Sequence, residues 1–193
     1  MTIPGVVRHD CAIVVPPLSP ETAHLTGVLA DCAPVSTAIT RRGAHPAHGD
    51  PLPISPTAHL SGSWLWGGPL YWHFGHFLTE SATRLWAFDR LRDQVDGVIF
   101  TPKRHGAGAH LLDWQKDFLA LCGVKCDFKI LTEATEVERL HVPEQGFGTG
   151  GLIAGTDAYR EFITSRFAND IAPDGPERLY LSRSKFGPKK GGI

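Results

Sequence analysis

Long apolar runs are missing from this sequence: no stretch approaches the roughly 18 consecutive apolar residues that a membrane-spanning helix requires. The expectation is a chain with no transmembrane segment. The first 20 residues also lack the basic, apolar and small-residue order of a signal peptide. Cysteine is scarce, four in 193 residues, too few for the disulfide framework of a small secreted domain. Cys122 and Cys126 have three residues between them, and no second pair shows zinc-like spacing. Free thiols in a reducing cytoplasm are therefore expected. A surplus of either charge is absent as well, with 19 Lys and Arg against 20 Asp and Glu. That balance argues against a general nucleic-acid binder, which needs basic side chains to displace counterions.

What the chain does have is ordinary globular material. Apolar residues make up 42% and charged residues 20%, enough to bury a core, and the length suits one domain. Residues 11–15 and 63–66 read as apolar strands, and 35–40 as a further strand. Residues 42–50 read as an exposed loop holding two of the ten histidines. A proline-free stretch over 75–92 with recurring apolar positions predicts the longest helix. Beyond it come strands at 97–101, 127–131 and 139–142, and helices at 111–121 and 156–168. A glycine-rich loop spans 146–155, and a last strand covers 178–182. Strands alternating with helices in this way predict an α/β fold, a Rossmann-like, mainly parallel sheet with helices on both faces. The basic, glycine-rich segment 184–193 reads as the start of an interdomain linker, with 1–183 as the domain before it.

The segment from Gly67 to Trp86 carries the most chemistry. On a regular helix His76, Glu80 and Arg84 follow at four-residue intervals and share a face, and His73 joins them if the helix begins a turn early. Three readings of that face stay open. It is a structural network tying the helix to a loop. Or it is a metal site built from His73, His76 and Glu80, against which the Arg84 charge would work. Or it is a catalytic or substrate-binding face, offering a general base beside groups that hold polar or anionic substrates. Trp64, Trp66 and Trp72 offer either sugar-stacking surfaces or core packing.

The same segment resembles the amino-terminal motif of glycosyltransferase family 61, a group that includes capsular-polysaccharide biosynthesis proteins. The resemblance rests on the paired Gly67-Gly68 turn, then Gly75-His76-Phe77-Leu78-Thr79-Glu80, then Arg84-Leu85. A second match is Arg178-Leu179-Tyr180-Leu181-Ser182-Arg183. Where many members carry Asn before a Gly-His or Tyr-His pair, this chain has His73-Phe74, which puts any role specific to that Asn in doubt. The resemblance implies the first half of a GT-B enzyme, two Rossmann-like domains facing across a cleft without an essential metal or other cofactor. This half would receive a saccharide acceptor in surface or capsular polysaccharide biosynthesis. A missing second domain would bind the nucleotide-sugar donor, so the chain alone is expected to be inactive. His76 or Glu80 would be the base, with the other orienting it. His73, Arg84 and Arg183 would contact substrate, Arg183 near the diphosphate. Two rivals are a non-catalytic sugar-binding module and a metal-dependent hydrolase using His73, His76 and Glu80. Self-association of a lone half through its open face is a further expectation.

Overall fold

Tight antiparallel turns organise the first fifty residues. The computed structural model describes residues 5–149, 155–167, 174–176 and 178. Strand β1 (Val6–Val15) ends at Pro16-Pro17, where the ladder loses its N–H donors. After a 3-10 turn over Pro20–Leu25, β2 (Gly27–Ala30) returns antiparallel with Val14 opposite Val28. The two-residue loop Asp31-Cys32 then turns into β3 (Ala33–Pro34). Both loop residues take positive φ, 50° and 61°, as the hairpin turn that matches strand twist demands. A second small ribbon follows: β4 (Thr40–Arg42) pairs with β5 (His45–His48) through Gly43-Ala44. Gly43, at φ 63°, occupies the first loop position, where glycine is favoured.

The remainder mixes strand and helix. β6 (Ala58–Leu70) leads into a run of short helical pieces: α1 (Phe74–His76), a π-helical turn over Phe77–Ser81, a 3-10 turn over Leu85–Ala87, and α2 (Phe88–Leu91). Then come β7 (Gly97–Pro102), α3 (Asp113–Leu121), β8 (Asp127–Ile130), β9 (Thr135–Pro143) and α4 (Asp157–Phe167). Among the described residues the main sheet has seven strands in the order β3-β2-β1-β9-β6-β7-β8. β6 is parallel to β9 and β7, and β7 to β8, whereas β1 is antiparallel to β9 and β2, and β2 to β3.

This sheet corrects the expected fold. It is mixed rather than mainly parallel, strand outweighs helix, and a helix-flanked Rossmann-like domain, the first half of a GT-B pair, is not what the chain builds. The physical reason lies in the two ends of the sheet. Residues 6–34, broken by prolines and short turns, cannot supply the crossover helices that parallel pairing needs, so they return directly as antiparallel strands. The expected strand over 35–40 is a 3-10 turn at Ser36–Ala38, and the expected loop over 42–50 is the β4–β5 ribbon. The last strand expected over 178–182, Arg183, and the domain boundary and linker beyond it lie outside the described residues, apart from Arg178.

Around β7 and the second half of β6 both faces of the sheet are buried. Leu65, Val98 and Phe100 point into a cluster with Phe77, Leu85, Trp86, Leu119 and Phe162. Their neighbours Trp64, Trp66 and Ile99 point the other way, against Val14, Val28, Val35, Ala38 and Leu140. Alternation within one strand feeding two cores is what turns β6 and β7 into near-continuous apolar runs. Gly67 and Gly68, expected as a turn, lie inside β6 at an irregularity in its pairing with β7. A Cβ at Gly67 would sit 2.4 Å from the Phe100 ring. Gly68 has φ +99°, a conformation other side chains rarely adopt.

Candidate functional site

β6 and β9 lie side by side and parallel, yet the chain leaves β6 in the other direction, toward β7. In open sheets ligand sites form outside the carboxyl ends of parallel strands at such a division. Just past the end of β6, Tyr71 is pinned by side chains on both of its backbone groups. Its N–H donates to Ser81 Oγ at 2.9 Å, and its carbonyl accepts from Gln115 Nε2 at 2.8 Å. Ser81 Oγ in turn donates to the Pro69 carbonyl at 2.8 Å. The backbone that launches α1 is therefore fixed before any ligand arrives.

His76 and Glu80 meet as expected from their spacing, with His76 Nδ1 2.5 Å from Glu80 Oε1. Glu80 is buried, and both of its oxygens accept from Arg42 Nη2, at 2.9 and 3.0 Å. Glu80 as an acceptor fixes the proton of His76 on Nδ1, which leaves Nε2 with a free lone pair on a side chain that is 41% exposed. The His76 ring stacks on Tyr71, centroids 5.2 Å apart, and His73 meets its edge at 5.4 Å. Glu80 and Ser81 belong to the π-helical turn, an irregularity common at functional sites.

Arg42 was not legible as a site residue, and two contacts bring it here. Gln145, beyond β9, pairs with the Arg41 backbone like a strand: Arg41 N–H donates to Gln145 Oε1 at 2.7 Å, and Gln145 Nε2 donates to the Arg41 carbonyl at 2.9 Å. Gly43 N–H donates to the Gly148 carbonyl at 2.8 Å. The Gly-Ala step between two short flanks was the available signal for a hairpin at this place. His48 is the second residue that the sequence did not single out. Its Nδ1–H donates to the Ala23 carbonyl at 2.7 Å, so Nε2 accepts the Tyr71 hydroxyl proton at 2.8 Å. Burial, with the Glu80 charge second, holds the Tyr71 phenol well above its ordinary range, so it stays a neutral donor.

Arg84 stands apart. The helix that would align it with His76 and Glu80 is broken after the π turn, and the guanidinium is fully buried. It donates to the carbonyls of Pro143, Thr37 and Ile39 and to Thr40 Oγ1, at 2.8 to 3.2 Å. Burial pushes its pKa down to about 9, which leaves it charged at neutral pH. A group so enclosed holds the fold and does not reach a substrate. The metal reading loses its chemistry too, because Arg42 puts a positive charge on the carboxylate that a cation would need. Among the described residues no group of three His, Cys, Asp or Glu side chains is placed to hold a metal. Burial raises the Cys122 and Cys126 thiols to about 12 and about 11. Trp64 and Trp66 are core residues, whereas Trp72 is 39% exposed beside His73.

Burial lowers the pKa of His48 and of His141 below the usual 6.5. Such an imidazole protonates first in the unfolded chain, so stability falls as pH drops below about 6.5 and stops falling beneath the folded-state value. We expect Tm to decrease between about pH 7.5 and 5.5, and to decrease less in the His48→Gln variant. An unchanged slope in that variant would show that His48 is not a source of the acid sensitivity.

No helix among the described residues is long and apolar enough to cross a membrane. No protein family, curated protein or solved structure significantly matches the chain.

Proposed function

We propose that the chain is the acceptor-binding part of a glycosyltransferase that moves a sugar from a nucleotide-sugar to a saccharide, in the assembly of surface or capsular polysaccharide. One observation carries the reading: a histidine whose inner nitrogen is fixed by a buried, arginine-held carboxylate turns its outer nitrogen to solvent at the carboxyl ends of parallel strands. In the proposed reaction the acceptor hydroxyl gives its proton to His76 Nε2. The freed oxygen attacks the anomeric carbon, whose bond to the nucleoside diphosphate breaks with its electron pair. Glu80 stabilises the imidazolium that results, in the manner of the orienting carboxylate of a catalytic triad. His76 is thus the base and Glu80 the positioning residue. The donor's nucleotide would be bound chiefly outside this chain, and the polysaccharide role rests on the family resemblance.

Acceptor engagement is testable without turnover. Diethyl pyrocarbonate modifies neutral, accessible imidazoles, and peptide mapping by mass spectrometry separates the ten histidines. A panel of oligosaccharides at saturating concentration is expected to contain at least one that shields His76 while leaving a distant exposed histidine, His59, unprotected. A panel in which no saccharide slows modification of His76 would sink the reading.

A further inference from the structure

Beside the His76–Glu80 pair, at the carboxyl ends of β6 and β7, lies a cavity of about 390 Å³ lined by Leu70, Trp72, His73, Lys103, Arg104 and the glycine-containing loop after them. Its volume falls within the roughly 300–1,000 Å³ typical of small-ligand sites. Its charge is one-sided. Lys103 and Arg104 contribute to the lining and no carboxylate does, and among the described residues neither has an ion-pair partner. One wall is aromatic and fixed. The Trp72 N–H donates to the His110 carbonyl at 3.3 Å, and the indole packs on the His110 ring at 4.9 Å. Gly108 lets the loop close against it, since a Cβ there would lie 2.4 Å from the indole. The cavity also adjoins the base. Lys103 Nζ rests 5.3 Å from the centroid of the Tyr71 ring, the ring on which His76 stacks.

We infer that this cavity binds an acidic pyranoside, a sugar whose carboxylate or phosphate is held by Lys103 and Arg104 while its apolar face lies on Trp72. The inference deepens the acceptor reading and rests on it: the acid-bearing residue occupies the cavity, and its hydroxyl, or that of the next sugar, reaches His76 Nε2. An ammonium and a guanidinium left without a carboxylate partner at a half-enclosed site have a stronger call on an anion than surface pairs do. An aromatic wall adds a sugar-sized apolar surface that a bare phosphate would not use.

Matched ligands test it. Methyl β-D-glucuronide and methyl β-D-glucoside differ only at C6, a carboxylate against a hydroxymethyl group, and methyl β-D-glucoside 6-phosphate carries a phosphate ester on that hydroxymethyl oxygen. By NMR titration of the chain, at least one of the two anionic sugars should bind about tenfold tighter than the glucoside, or more. Which of the two is tighter identifies the source of the charge. In a Lys103→Ala/Arg104→Ala variant, both surface changes, the preference should shrink to within about twofold, and Trp72→Ala should weaken all three sugars. Equal affinity for charged and neutral sugars overturns the inference, as does an unchanged preference in the double variant. Uridine diphosphate binding tighter than either anionic sugar, and lost in the double variant, would assign the cavity to a nucleotide and overturn it too. If the anionic sugar binds as expected but leaves His76 open to diethyl pyrocarbonate, the acidic-sugar site stands and the transferase reading fails. If a neutral oligosaccharide shields His76 while the cavity shows no charge preference, the reverse holds.

Discussion

Glu80→Gln is expected to reduce sugar transfer by about 100- to 10,000-fold, the range over which positioned acid–base groups act. The readout is nucleoside diphosphate released in the presence of acceptor, with the donor-binding part supplied. The amide is nearly the same size as the carboxylate, so the loss reports charge and proton direction more than shape. In the native chain Glu80 accepts two contacts from Arg42 and one from His76. A glutamine keeps one acceptor oxygen and turns an NH2 toward groups that are themselves donors. His76 then loses the partner that keeps its proton on Nδ1, and its Nε2 no longer points a free lone pair at the acceptor. Stability should fall by only about 1–3 kcal/mol, the cost of a poorly satisfied buried polar group, because Arg42 is exposed enough to rehydrate. A structural network makes the opposite forecast: the same stability loss with transfer unchanged. The double variant His76→Gln/Glu80→Gln separates the two further. If the residues act as one unit, the second change adds little to the first. If their effects on transfer multiply, Glu80 does not work through His76.

How much of this arrangement was readable depended on how far apart its members lie in sequence. His76 and Glu80 were legible because a four-residue spacing puts them on one face of any helical turn, and the π turn did not separate them. Arg84 was not, because its place on that face assumed a regular helix through residue 84. The phase is lost where the chain passes from the π turn to the 3-10 turn at Leu85–Ala87. Strand β7 was readable from an apolar run bounded by Gly97 and Pro102, and α3 from its stop at Gly123. The antiparallel half was not, since apolar periodicity marks a strand without naming its neighbour. The pairing of β1 with β9, from Val6 with Pro143 to Val14 with Thr135, joins segments more than a hundred residues apart. Arg42 escaped notice for the same reason, since it arrives on a ribbon held by Gln145 and its contact with Glu80 crosses 38 residues.

Arg84→Met should cause the largest loss of stability of any single change discussed, about 3–5 kcal/mol. For a chain of this length that corresponds to a fall in Tm on the order of 10 °C. Methionine fills much of the same volume, so the effect does not come from a cavity. It comes from four acceptors that lose their donors at once: the Pro143 carbonyl at the end of β9, the Thr37 and Ile39 carbonyls, and Thr40 Oγ1. A buried charge without a carboxylate partner is costly to desolvate, and burial alone accounts for the depressed Arg84 pKa. The guanidinium remains because no neutral side chain could offer that many donors in one plane. Arg84→Lys should therefore rescue little, since an ammonium offers three donors from a single point and lacks the fork geometry. The change should also reach the site. Residues 37–40, which Arg84 holds, run directly into β4, and β4 carries Arg42 to Glu80. Loosening that anchor frees Arg42, so His76 in the Arg84→Lys protein should show altered diethyl pyrocarbonate reactivity even where the chain is folded. Urea denaturation followed by tryptophan fluorescence gives the stability loss, and peptide mapping gives the reactivity. A stability loss under about 1 kcal/mol in Arg84→Met would mean that water replaces the guanidinium at those four acceptors. The anchoring role of Arg84, and with it the route by which the ribbon is positioned, would then have to be abandoned.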